Sequence, residues 1–231
     1  MNMHKRAIPI MLGFATASQA SAGIVYTGLE RSASVGGQPM SSSDLFGVFD
    51  ADLEYDEDTG GVFIGASAHA EQYSELSDIS QTLAFDGAAS ASGGAVSGAS
   101  ASTELLLSFL VETGSSLELR INGFVRAQTG SGIDPGSTGG AGSARLQIRR
   151  GGNPIYTRST GQGIVNIFHQ TLTLDSGSYE LHIMLGGSGP AQVGGGSGSA
   201  ELDFEFRAVP APSSAMLLCA AGVFASRRRR A

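Results

Sequence analysis

The chain has 231 residues, 41% of them hydrophobic and 15% charged, with 34 glycines and a formal net charge of −7. That length and apolar content exclude a wholly disordered polymer and are enough for one sizeable core. The acidic balance excludes a general nucleic-acid binder, because phosphate is repelled, and a single cysteine excludes a disulfide scaffold.

The N-terminus carries Lys5 and Arg6, an apolar run over 7–17, and then Ala20-Ser21-Ala22. A basic start, a short hydrophobic segment and small residues in alternate positions are the order of a secretory signal peptide. Cleavage is expected after Ala22, with Ala20 and Ala22 filling the small-residue positions and Gly23 becoming the new N-terminus. Residues 1–22 are therefore read as the leader, 23–208 as an exported domain and 209–231 as a separate C-terminal signal. The domain holds eight arginines against all 21 acids, a formal −13, and no lysine, since Lys5 is the only one in the chain.

Along 23–208 the apolar residues recur with period two rather than 3.6, which predicts about ten short strands and no helix. The first clear case is also the most acidic. Asp50, Asp52, Glu54 and Asp56 alternate with Phe49, Ala51, Leu53 and Tyr55, and Glu57 and Asp58 follow. Calcium takes about six to eight oxygen ligands and is the one cofactor this run suggests, although the glycine and closing glutamate of an EF-hand are missing. Strand spacing predicts instead a solvated face that discourages edge pairing.

Ala/Ser alternation at 66–70, 88–92 and 99–102 predicts strands with small faces that pack closely. Residues 105–111 are apolar at nearly every position, which predicts a central strand covered on both sides. Leu117, Leu119 and Ile121 continue the alternation, as do Leu146 and Ile148, with Gly151-Gly152-Asn153-Pro154 as a turn. The stretches 131–142 and 186–198 have the Gly/Ser composition of disordered linkers. Residues 172–185 predict a hairpin about Asp175-Ser176-Gly177, with Tyr179 entering the core and its phenol bonding nearby backbone. Leu202, Phe204 and Phe206 form the last strand. The sum is an all-β antiparallel β-sandwich or jelly roll.

No residue in this domain is assigned a catalytic, cofactor-binding or metal-binding role. His69, His169 and His182 are isolated in sequence, without the paired spacing a zinc site uses, and predict ordinary surface positions. The chain has no tryptophan, and Tyr26, Tyr55, Tyr73, Tyr156 and Tyr179 are scattered, which disfavours a tryptophan-platform lectin.

The C-terminus has three parts. Val209, Pro210, Ala211, Pro212 and Ser213 begin extended, because proline fixes φ and restricts its predecessor. Ser213 or Ser214 can cap a short hydrophobic helix over 215–225, about 16 Å long against a hydrocarbon core of about 30 Å. Arg227, Arg228, Arg229 and Arg230 would stay on the cytoplasmic side, leaving the domain outside and the apolar segment transiently in the inner membrane. This layout resembles the PEP-CTERM sorting signal of bacterial exported proteins, with Ala211 where the family usually has glutamate. The resemblance spans 209–231. It implies processing by an exosortase-like membrane protease, a Gram-negative-type envelope, and the cell surface or exopolysaccharide matrix as destination. The expected function is that of a non-enzymatic exported surface or matrix protein. The alternative is a carbohydrate-binding module for envelope or matrix polysaccharide, and third an envelope hydrolase.

Overall fold

A computed structural model describes residues 24–57, 65–77, 81–94, 97–112, 117–130, 140–160, 165–190 and 196–210. These form twelve strands and no helix: β1 (Ile24–Val35), β2 (Gln38–Ser42), β3 (Gly47–Glu57), β4 (Ala66–Ser77), β5 (Thr82–Gly93), β6 (Ala99–Val111), β7 (Leu117–Gly130), β8 (Ala141–Arg150), β9 (Asn153–Thr160), β10 (Val165–Leu174), β11 (Gly177–Gly189) and β12 (Gly196–Pro210). The first sheet has the order β2-β1-β6-β11-β8-β9 and the second β10-β7-β12-β5-β4-β3. Every neighbouring pair is antiparallel.

The nesting of β11 and β12 defines the topology. These strands are consecutive in the chain, yet β11 inserts between β6 and β8 while β12 inserts between β5 and β7 of the opposite sheet. Strands β5–β12 thus make the eight-stranded double Greek key of a jelly roll, and β1–β4 widen both sheets on one side.

Period-two alternation sorts the side chains as expected. Leu202, Phe204 and Phe206 are buried while Asp203 and Glu205 are exposed, and Tyr179, Leu181, Ile183 and Leu185 are buried on β11. The predicted hairpin over 172–185 does not form: β10 lies in the second sheet and β11 in the first. Alternation fixes which face of a strand is apolar, but two such strands can bury those faces side by side in one sheet or face to face across a sandwich. Here Leu174 and Tyr179 meet the core from opposite sheets. The phenol nevertheless behaves as expected, donating from Tyr179 Oη to the Asp175 carbonyl at 2.8 Å while its ring stacks on Phe109 at 5.5 Å.

A further expectation is corrected. Strand β6 is central, but only its inner face is covered. Leu105, Leu107, Phe109 and Val111 are buried, whereas Leu110 is 37% exposed and Leu106 half-buried. A two-layer fold gives each sheet one outer face, and there Leu106 lies between Glu30 and His182, which stand opposite it on β1 and β11. Conversely, Gln147 faces outward on β8 yet is buried. Arg149 covers it, donating from Nη2 to Gln147 Oε1 at 2.7 Å, and Gln147 Nε2 donates to Thr157 Oγ1 at 3.2 Å.

The linker-like glycine segments enter strands where they are described: Gly186, Gly187 and Gly189 in β11, Gly142 in β8, Gly196 and Gly198 in β12. The strands carry their small residues at the same end of the sandwich, because Ala99 pairs with Gly189, Gly196 with Gly93, and Ser197 with Gly130. At that narrow end the two sheets touch through backbone. A Cβ added at Gly187 would lie 2.7 Å from Gly198 O and 2.9 Å from Ala89 O, and one at Gly142 would overlap Ser199 O. The other, broad end holds Leu83, Phe85, Leu107, Phe109, Leu119, Ile121, Phe204 and Phe206.

A residue not expected in the core is Arg31, which is 2% exposed inside the sandwich. It donates to the carbonyls of Asp44 at 2.7 Å and Gly47 at 3.0 Å, and its guanidinium lies 5.5 Å from the centre of the Phe49 ring. Burial lowers its pKa, with Asp44 opposing that shift. The signal was present, because Leu29, Arg31, Ala33 and Val35 share one phase of β1.

Candidate functional site

The outer face of the second sheet concentrates charge and partly exposed rings. Its register aligns one residue from each strand in a row: Asp50, Tyr73, Asp86, Asp203, Phe124 and Ile167. Neighbouring strands lie about 4.8 Å apart, so Tyr73 and Phe124 stand about 14 Å from each other with two carboxylates between them. Ala84 and Ala88 flank Asp86 along β5, whereas β4 presents Glu71 and Glu75 and β12 presents Glu201 and Glu205. Short side chains on β5 between long ones on β4 and β12 make a shallow trough floored by Asp86.

Like charges directly opposite each other in a sheet are unfavourable. Asp86 and Asp203 are such a pair, and Asp86 has a raised pKa, first through partial desolvation and second through the Asp203 charge, opposed by a hydrogen bond from the Gly87 backbone. Tyr73 is 40% exposed and donates from its hydroxyl to Glu75 Oε2 at 3.0 Å. Chemically, the trough offers acceptors for hydroxyl groups and ring faces for apolar contact. It repels anions.

The remaining candidates fall elsewhere. Asp50, Asp52, Glu54 and Asp56 do form the exposed face of an edge strand, β3, with Phe49 and Ala51 buried opposite. At about 6.8 Å between alternate residues they point outward in a line rather than around a point. Asp58 lies outside the described residues, among which no three His, Cys, Asp or Glu are grouped to hold a metal ion. The histidines each bond one cross-strand partner: His69 with Asp52 at 2.9 Å, His169 with Asn122 at 3.1 Å and His182 with Glu104 at 2.5 Å. Of the tyrosines, Tyr26, Tyr156 and Tyr179 are buried.

Glu30 and Glu104 line a cleft of about 400 Å³ over β1 and β6 together with Leu106. Glycoside hydrolysis also uses two carboxylates on one cleft, but both of these are exposed, Glu104 with 51% of its side chain accessible. The cleft is a polar surface groove, lined also by Ser32, Ser41 and Ser42.

The residues expected to form a sorting signal divide at the limit of the described chain. Val209 and Pro210 are the last residues of β12, opposite Glu118 and Leu117, so the sheet extends two residues beyond the expected boundary at 208. Ala211, Pro212, Ser213, the expected hydrophobic helix, and Arg227, Arg228, Arg229 and Arg230 lie outside the described residues, as do Ala20, Ala22 and Gly23. No helix among the described residues is long and apolar enough to cross a membrane.

Fold and face together define an antiparallel jelly-roll β-sandwich with one acidic open surface. No family model matches the chain, and no curated protein matches it. Among solved structures, TmCBM61 in complex with β-1,4-galactotriose is similar over 68% of this chain and 88% of that one, at 12% identity and a TM-score of 0.24. At that identity and score the likeness fixes neither ligand nor site.

Proposed function

We propose that this protein is an exported, non-catalytic jelly-roll module of the bacterial cell envelope or its surrounding matrix, led out by residues 1–22 and sorted by 209–231. The observation that supports this reading best is where the chain enters and leaves the sandwich. Ile24 opens β1 opposite Val111, and Pro210 closes β12 opposite Leu117, so both ends emerge at the broad end. A leader and a tail handled at the membrane would then act at one pole, leaving the narrow end and both open faces free. Mass measurement of the protein in each cell fraction tests this. Export should yield material beginning at Gly23 outside the cytoplasm, and a cytoplasmic protein retaining residues 1–22 would refute it.

A second reading deepens the first: the trough over β5 holds a neutral polysaccharide of that matrix. It is favoured by the row in which Tyr73 and Phe124 bracket Asp86 and Asp203, since rings stack on apolar sugar faces and carboxylates accept strong hydrogen bonds from hydroxyls. A glycan array run with and without calcium should show binding to neutral glycans that the Asp86→Asn and Tyr73→Ala variants each weaken about tenfold or more. Silence under both conditions refutes the reading. Binding confined to anionic glycans in calcium would do so as well, since it would indicate cation bridging.

A further inference from the structure

The four sheet edges are β2 and β9 in the first sheet and β3 and β10 in the second. An open edge is a template for another strand, and proteins blunt such edges with charge, proline, bulges or shortness. Three of these edges are blunted. β2 has only five residues and contains Pro39. β9 has Pro154 at a register shift, together with Arg158. β3 carries Asp50, Asp52, Glu54 and Asp56.

β10 has none of these devices. Its ten residues, Val-Asn-Ile-Phe-His-Gln-Thr-Leu-Thr-Leu, include no Asp, Glu, Lys, Arg, Pro or Gly, and its register with β7 runs unbroken from Val165 to Leu174. Among the described residues β7 is its only strand neighbour. Val165 is 54% exposed and Ile167 69% exposed, the highest value among the large hydrophobic side chains described.

We propose that the free edge of β10 is a self-association site that takes β10 of a second copy of this chain, antiparallel across a two-fold axis. The two six-stranded sheets would then run on as one. Charge decides in favour of a second copy. Acidic side chains crowd β3, β4, β5 and β12, so two such faces repel each other. The β10 side instead has no acid on β10 itself, and on the adjacent strand Arg120 and Arg126 outnumber Glu118. Of the two edges of this sheet, β10 is therefore the one that two copies can bring together closely. An antiparallel pair of identical strands is self-complementary, so the contact closes as a dimer instead of growing into a fibre.

Light scattering on size-exclusion chromatography of the full chain, up to about 100 µM, tests the site. The expected result is a dimer that Ile167→Lys weakens at least tenfold, because lysine on an edge strand discourages strand pairing and the two-fold axis places one in each copy. Val48→Lys, on the exposed β3 edge, should leave the dimer unchanged. Val165→Lys is the second disrupting variant should Ile167→Lys alter the circular dichroism spectrum. A monomer throughout, or an oligomer that survives Ile167→Lys and Val165→Lys, as association through the apolar tail would, overturns the proposal.

Discussion

The two ends of this sandwich are held by opposite means. At the broad end the sheets stand apart around stacked and edge-on rings, with Phe109 5.5 Å from Tyr179 and 6.0 Å from Phe206. At the narrow end they meet through glycine, alanine and backbone, with no space even for a methyl group at Gly187 or Gly142. Inward-facing residues such as Phe204 and Ala89 are buried at both ends, yet the first end gains mostly from apolar area and the second from close approach. Small residues therefore do not mark this region as loose. They mark it as thin.

Substitutions can break that comparison. Phe204→Ala removes a fully buried ring at the broad end and should cost about 3–5 kcal/mol, read as a fall in urea midpoint at unchanged slope. Gly142→Ala adds one carbon at the narrow end, and because the obstacle is the Ser199 carbonyl rather than a movable side chain, a loss of about 1–3 kcal/mol is expected in the same measurement. If the alanine were tolerated without loss, the two sheets could not be in backbone contact there. Tyr179→Phe keeps the ring stack and removes only the bond to Asp175 O, for about 1 kcal/mol.

The smallest effect concerns charge rather than packing. Asp86 binds its proton more tightly in the folded state than in the unfolded one, so the ionised group is a penalty to folding, present in full above its raised folded pKa and relieved as the pH falls towards the ordinary 3.8. Asp86→Asn should therefore stabilise the domain at pH 7 by a few tenths of a kcal/mol, a small value because solvent screens the site. That advantage should vanish below the ordinary carboxylate pKa. Melting temperatures of both proteins across pH 3–7, compared pairwise, give the sign.

Much of the fold was legible because period two is a local property. Phe49 against Asp50, and Leu202 against Asp203, state their own facing wherever the strand is placed. The buried arginine was legible in the same way, since Arg31 shares the phase of Leu29 and Ala33. The candidate trough was not, because Tyr73, Asp86, Asp203 and Phe124 come from four strands and meet only through register. The failed hairpin at Asp175 has the same cause.

Local spacing along the chain set which face of each strand is apolar, where the chain reverses at Gly151-Gly152, and where charge accumulates, for these depend on neighbours one to four residues away. Packing of the whole chain was needed to part β11 and β12 into opposite sheets, to set two carboxylates facing each other between rings, and to leave β10 at an edge. Each of those follows from long-range strand pairing, in which every amphipathic strand can offer the same apolar face to several partners, and the lowest-energy nesting of all twelve selects among them.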